Sequence, residues 1–286
     1  MLRKIEIKID ERLNEKKIEY ILEKHIGISR SLISKLKRMP DGITLEGEQA
    51  KVIQTVKTGQ TLVIILPKTT GKSVESVYLP MDILYEDDDI IAVNKPSGMP
   101  SHPSRLHKSD TLANALKYHT GYTPHIITRL DKETTGIVLA AKNPHTAARL
   151  TDLMKRKKIQ KEYVAVVNGT LDMPFGEINA PIDKEENSIK RIVSPEGKEA
   201  VTKYEVLKTN GEYSLVRLIP ITGRTHQLRV HMSYMGCPIY GDSLYGIAEE
   251  TMCLHCRKIS FHHPITGEGI TIEALVPDKW IKFNEA

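Results

Sequence analysis

The chain has 286 residues, 40% hydrophobic and 27% charged, with a formal net charge of +5 and three cysteines. That length accommodates one large domain and a small one. No run approaches a membrane span, and Met1-Leu2-Arg3-Lys4 lacks the apolar core of an export signal. An odd, small number of cysteines argues against a disulfide framework, so a soluble protein of the reducing cytoplasm is expected.

Residues 1–70 read as a small module. The spacing of Ile18, Ile21, Leu22 and His25, and of Leu32, Ile33 and Leu36, predicts two helices. Ser29 suits the N-cap of the second, and Met39-Pro40-Asp41-Gly42 ends it with a turn. Short strands are predicted over 43–45 and 61–66, and residues 67–73 have linker composition, extended here through 71–78. From residue 79 to 286 a larger domain is expected. It opens with a buried strand over 90–93, followed by a helix marked by Leu112, Ala115 and Leu116 and opened by Ser109 or Asp110. Asn143-Pro144 suits the cap and first turn of another helix carrying Ala147, Leu150 and Met154 inward. Strands are predicted over 163–167, 203–206 and 215–219, and a helix over 225–235 stopped by Gly236. Strands mixed with a few helices, without regular alternation, define an α+β domain on a mixed or antiparallel sheet.

Charge is clustered. Arg30, Lys35, Lys37 and Arg38 form one basic group, and Lys155, Arg156, Lys157, Lys158 and Lys161 another. Such patches suit a polyanion such as nucleic acid, although a solvated helix face would look the same.

Two stretches carry chemistry. In Thr128-Arg129-Leu130-Asp131-Lys132-Glu133-Thr134-Thr135-Gly136 an acid stands between two cations, which favour its ionised form, in a loop feeding the apolar run 137–141. In Gly223-Arg224-Thr225-His226-Gln227-Leu228-Arg229-Val230-His231, helical spacing would put His226 and Arg229 on one face. An arginine so held can pair with a carboxylate and fix its orientation. Cys253-Leu254-His255-Cys256 has part of a zinc pattern, but a second spaced ligand pair is missing, so no metal is expected.

These blocks resemble the RluA-type RNA pseudouridine synthases. Asp89-Ile90-Ile91-Ala92-Val93-Asn94-Lys95-Pro96-Ser97-Gly98 resembles the family's opening strand and loop. Arg129-Leu130-Asp131 with Thr135-Gly136 matches the motif around the catalytic aspartate, and Lys161-Glu162-Tyr163 the tyrosine motif. The stretch from Gly223 to His231, then Gly236, Pro238, Ile239, Gly241 and Asp242, matches the C-terminal motif. Residues 10–66 resemble the S4-like RNA-binding module that many members carry in front.

The resemblance implies isomerisation of specific uridines in ribosomal large-subunit or transfer RNA. Asp131 would act on the ribose, Tyr163 would pack against the target base, and Arg229 would position Asp131. Arg129, Lys161, Arg224, His226 and Gln227 are the implied RNA contacts near the site, with Arg30 and Lys35 on the front module. Thr128 stands where most members have histidine. Isomerisation needs no redox or energy input, so no cofactor is expected, and a monomer suffices. Two competing readings are a non-catalytic RNA-binding or ribosome-assembly protein that keeps the fold, and a nucleosidase that releases its base to water.

Overall fold

The computed structural model describes residues 3–67, 74–277 and Trp280. Residues 68–73, which include the start of the expected 71–78 linker, lie outside the described residues.

The first part folds around its own core. Strands β1 (Arg3–Lys8), β2 (Ile43–Leu45), β3 (Glu48–Gln49) and β4 (Thr61–Leu66) form an antiparallel sheet in the order β1-β4-β2-β3. Helix α1 (Ile18–Tyr20) widens into a π-helical segment (Ile21–Ile26), which Gly27 ends with φ 79°. Ser29 caps α2 (Arg30–Leu36), its hydroxyl accepting from Leu32 N–H at 3.3 Å. Ile18, Ile21, Leu22, Leu32, Ile33 and Leu36 are buried in one cluster with Leu62 and Ile64 of β4, the alternate residues that a strand must turn to one face. Arg3 and Arg149 join this part to the rest, Arg3 meeting Asp88 through Nη1 at 3.1 Å. Arg3 grips the buried Asp89 through Nη2 at 2.8 Å and Nε at 3.1 Å, and Arg149 Nη1 donates to the Ile26 carbonyl at 2.6 Å.

The second part is built on a mixed sheet. Its strands are β5 (Asp82–Glu86), β6 (Ile90–Lys95), β7 (His125–Ile126), β8 (Thr135–Ala141), β9 (Gln160–Asn168), β10 (Phe175–Asn179), β13 (Val201–Thr209), β14 (Tyr213–Pro220), β15 (Leu254–His262) and β16 (Gly269–Glu273). The order is β10-β13-β14-β9-β15-β8-β6-β5, with β7 beside β8 and β16 beside β15. A separate ribbon pairs β11 (Ile182–Lys184) with β12 (Arg191–Val193). Helices α3 (Leu112–Thr120), α4 (Pro144–Lys155) and α5 (Gln227–Tyr234) contribute Leu112, Leu116, Leu150, Leu228 and Met232 to the cluster that includes Val138, Tyr163 and Ala165. On the opposite face of β9, Val164 and Val166 meet Cys253 and Trp280.

Two boundaries differ from expectation. Helix α3 is capped by Thr111 rather than Ser109 or Asp110, because Thr111 and Asn114 satisfy each other's backbone in a capping box. Helix α5 begins at Gln227, not 225, because His226 adopts φ 56°, outside the helical region. His226 and Arg229 therefore do not share a helical face. Cys253 and Cys256 fall in clusters on opposite faces of the sheet, so they cannot converge on one ion.

The sheet has one parallel joint, β8 against β15, with Thr135 opposite His255 and Gly136 opposite Cys256. Gly136 also pairs with Lys95 of β6. Here glycine is required twice over: φ is +104°, and an added Cβ would sit 2.3 Å from the Cys256 carbonyl oxygen. Gly136→Ala is expected to destabilise the protein by roughly 2–6 kcal/mol, from backbone strain plus overpacking. Urea denaturation of the variant beside wild type measures it.

Candidate active site

Asp131 lies in the loop between β7 and β8, and its peptide neighbours are pinned on both sides. The Leu130 carbonyl accepts from the Ser101 hydroxyl at 2.9 Å, and Leu130 N–H donates back at 3.3 Å. On the other side, the Lys132 carbonyl accepts from Lys95 Nζ at 2.9 Å. Lys95 is 0% exposed and also donates to the carbonyls of Pro96 at 2.7 Å and Met99 at 2.8 Å. Three carbonyls match the three N–H donors of an ammonium. Burial nevertheless pushes the Lys95 pKa down to about 8, against the pull of the Glu133 and Asp131 charges. The Asp131 side chain itself stays 33% exposed, open to a substrate.

Arg229, on the first turn of α5, connects that carboxylate to the interior. Its Nε and Nη2 each donate to Asp242 at 2.7 Å, a bidentate pair, and Nη1 donates to Asp131 Oδ2 at 3.4 Å. Asp242 is completely buried, and its Oδ1 also accepts from the backbone N–H of Leu244 and Tyr245. Burial opposes the charge on both partners. Their mutual hydrogen bonds and attraction outweigh it, so the Arg229 pKa rises above its ordinary value and the Asp242 pKa falls below. The guanidinium also lies 5.2 Å from the ring centroid of Tyr245, a cation–π contact.

A cleft of about 490 Å³ opens over these groups. Asp131, Tyr163, Arg129, Lys161, Arg224, His226, Gln227 and Arg229 all line it. Tyr163, on β9, is only 7% exposed; burial and its bond to the Cys256 thiol hold its phenol neutral, well above an ordinary pKa. Burial lowers the Lys161 pKa as well. Arg224 donates from Nε to the Glu199 carbonyl at 2.8 Å. Gln227 differs from its expected role as an RNA contact. It is buried, its oxygen accepting from Thr222 Oγ1 and Arg224 N–H and its nitrogen donating to Val201 and Thr202, so its amide fixes the loop rather than facing solvent.

Arg30 and Lys35 are not among the residues lining the cleft. They sit on α2, with Arg30 paired to Glu23 at 3.0 Å. Thr128 is buried, its hydroxyl accepting from Leu139 N–H at 2.8 Å; it closes the β7–β8 turn and presents nothing to a ligand. Ser101 and Tyr245 were not singled out from sequence, and Lys95 and Asp242 stood in motif blocks without a role. The signal for Lys95 is a lysine ending an apolar strand, and for Asp242 an acid directly after the left-handed Gly241. Among the described residues no group of three His, Cys, Asp or Glu side chains could hold a metal ion, and no helix is long and apolar enough to cross a membrane.

A loop carboxylate, an arginine that positions it and an aromatic wall in a cleft over a mixed sheet match a known enzyme class. A family model for RNA pseudouridylate synthase matches residues 89–234. The chain is 37% identical to the uncharacterized RNA pseudouridine synthase YjbO of Bacillus subtilis, over 90% of this chain and 95% of that protein. It is 34% identical to ribosomal large subunit pseudouridine synthase D of Vibrio cholerae, covering 97% and 92% of the two chains. The solved structure of human RNA pseudouridylate synthase domain containing 1 superposes with a TM-score of 0.60 at 26% identity, covering 74% of this chain and 87% of that one. The chain belongs to the RNA pseudouridylate synthase family.

Asp242→Asn would leave the Arg229 guanidinium buried without its counter-charge, a loss of about 3–5 kcal/mol. The wild-type contribution also depends on pH. Because the folded-state pKa of Asp242 lies below the ordinary 3.8, the stabilisation is complete above that value and is lost as the pH falls below it. Thermal denaturation between pH 7 and pH 3 should show this acid loss in wild type and a smaller one in the variant.

Proposed function

We propose that this protein converts specific uridines to pseudouridine in ribosomal large-subunit RNA, with Asp131 as the catalytic carboxylate. The observation that carries the reading is the placement of Asp131: partly exposed at the cleft, with its backbone fixed on both sides and one carboxylate oxygen facing Arg229. The substrate class comes from relatives such as the large-subunit synthase of Vibrio cholerae.

In the reaction the N1–C1′ bond of uridine breaks, the uracil turns and C5 bonds to C1′; C5 gives up its proton and N1 gains one, so the atoms balance without any co-reactant. The carboxylate serves at the ribose either by bonding C1′ or by taking a ribose proton, and both need it held close to the sugar. Tyr163 offers the face against which the uracil is held as it turns. The target must leave its helix or loop, which favours unpaired uridines. Arg129, Lys161 and Arg224 supply cationic contacts to the strand, and Gln227 positions the loop bearing Arg224.

Residues 1–70 act in this proposal as an S4-like module, with Arg30 and Lys35 contacting phosphate. The protein works as a cytoplasmic monomer, without metal.

Asp131→Asn should lower pseudouridine formation by at least about 10²-fold while RNA affinity stays close to wild type. Carbodiimide mapping of a treated large-subunit transcript, with filter binding beside it, measures both. Replacing Arg30 and Lys35 together with alanine should flatten the salt dependence of binding, by about 0.7–0.9 in the log–log slope for each phosphate that the variant no longer neutralises. Titrations across roughly 50–200 mM salt give that slope.

A further inference from the structure

His226 stands directly before α5 with φ 56° and ψ 17°, a left-handed conformation uncommon outside glycine. Among the described residues its side chain makes one hydrogen bond, to Tyr245. The Tyr245 hydroxyl lies 2.8 Å from His226 Nδ1, and the two rings meet edge to face at 5.7 Å. Tyr245 is itself fixed from several directions. Its N–H donates to Asp242, its carbonyl accepts from the Ser233 hydroxyl at 3.0 Å, and its ring lies beside the Arg229 guanidinium.

The hydrogen-bond inventory sets the imidazole tautomer. A phenol has one proton to give. The Tyr245 oxygen already accepts from Arg191 N–H at 2.8 Å, and Nδ1 is the acceptor within reach of its own proton. Nδ1 therefore accepts, and the ring proton sits on Nε2. That nitrogen faces Asp131 Oδ2 at 3.8 Å. Burial lowers the His226 pKa, with Arg229 and Arg191 acting against Asp131 and Asp242, which keeps the ring neutral. The same Oδ2 receives Arg229 Nη1. Two donors thus converge on one carboxylate oxygen, and Oδ1 has no hydrogen-bond partner among the described residues.

We infer that His226, with its tautomer set by Tyr245, is a positioning residue for Asp131: its Nε2–H and Arg229 Nη1 together hold Oδ2 and leave Oδ1 to meet the ribose. The inference rests on the proposed reaction and reassigns His226 from RNA contact to carboxylate orientation. At 3.8 Å the bond is not yet made. A shift of roughly 0.6–1.1 Å by the partly exposed Asp131 on substrate binding would close it.

The test measures single-turnover rates at saturating RNA, with the RNA Kd measured beside them. His226→Asn tolerates the left-handed turn and can still meet Tyr245, but lacks a donor at the Nε2 position. It should slow the step roughly 10- to 100-fold with Kd unchanged within about twofold. His226→Gln, which carries a donor farther out, should recover part of the rate, a result loss of structure would not give. Tyr245→Phe keeps the ring beside Arg229 and should cost about three- to tenfold, the worth of one hydrogen bond. Added to His226→Asn it should cost nothing more. A raised Kd with an unchanged saturating rate in His226→Asn, or full additivity of the two changes, would overturn the inference. A wild-type protein that leaves every uridine unchanged would overturn the reaction and the inference with it.

Discussion

The structure depends on the parallel joint between β8 and β15. Each side of it is an antiparallel set: β5, β6, β7 and β8 on one, β16, β15, β9, β14, β13 and β10 on the other. The β8–β15 ladder consists of two residue pairs, Thr135 with His255 and Gly136 with Cys256. A joint that narrow must be tight to hold, and the absence of a side chain at Gly136 makes it so. The Thr135 hydroxyl adds a bond to His255 Nδ1 at 2.8 Å across the same line. The cleft straddles this line. Asp131 comes from the loop feeding β8, whereas Tyr163 and Arg229 come from β9 and from the helix after β14. Anything that shifts one set against the other moves the carboxylate away from its aromatic wall and its arginine.

Buried charge then fixes the site across the joint. Burying an ion is unfavourable unless its partners are close and numerous, and both buried cations near Asp131 meet that condition. Arg229 has the bidentate Asp242 behind it, and Lys95 has three carbonyls around it. The short, bidentate partner of Arg229 is Asp242, and the catalytic carboxylate proposed here touches that guanidinium only through Nη1 at 3.4 Å and makes no hydrogen bond to Lys95. Asp131 can therefore face solvent and substrate without being needed to neutralise the interior.

Much of this was legible in the chain. The strands around Val93, Val166 and Leu218 announce themselves as apolar runs, and the Asn143-Pro144 start of α4 follows from cap chemistry, with the Asn143 side chain accepting from Thr146 N–H. The grouping of Asp131, Tyr163 and Arg229 follows from motif blocks in a fixed order. What was not legible depends on contacts between distant residues. Nothing near Asp242 in the sequence says that its partner is Arg229, and nothing near Lys95 says that three carbonyls surround it. The left-handed turn at His226 breaks a helical pattern that periodicity alone extends through it. Strands β10 to β12 are short and partly exposed, so their alternation is too brief to stand out. Gln227 shows the converse: a polar residue in a functional motif can serve entirely within the fold.

All three cysteines are buried, and burial lifts the Cys256 thiol pKa to about 12. The thiolate is the form that attacks an alkylating reagent, so in the closed protein Cys256 is chemically silent. It lies opposite Gly136 in the parallel joint, so a reagent can reach it only when the sheet parts there. Under conditions where opening and closing are fast, its labelling rate measures how often that happens. The protein thus carries a built-in chemical clock for the opening of its catalytic sheet, readable as the mass that alkylation adds at a native cysteine.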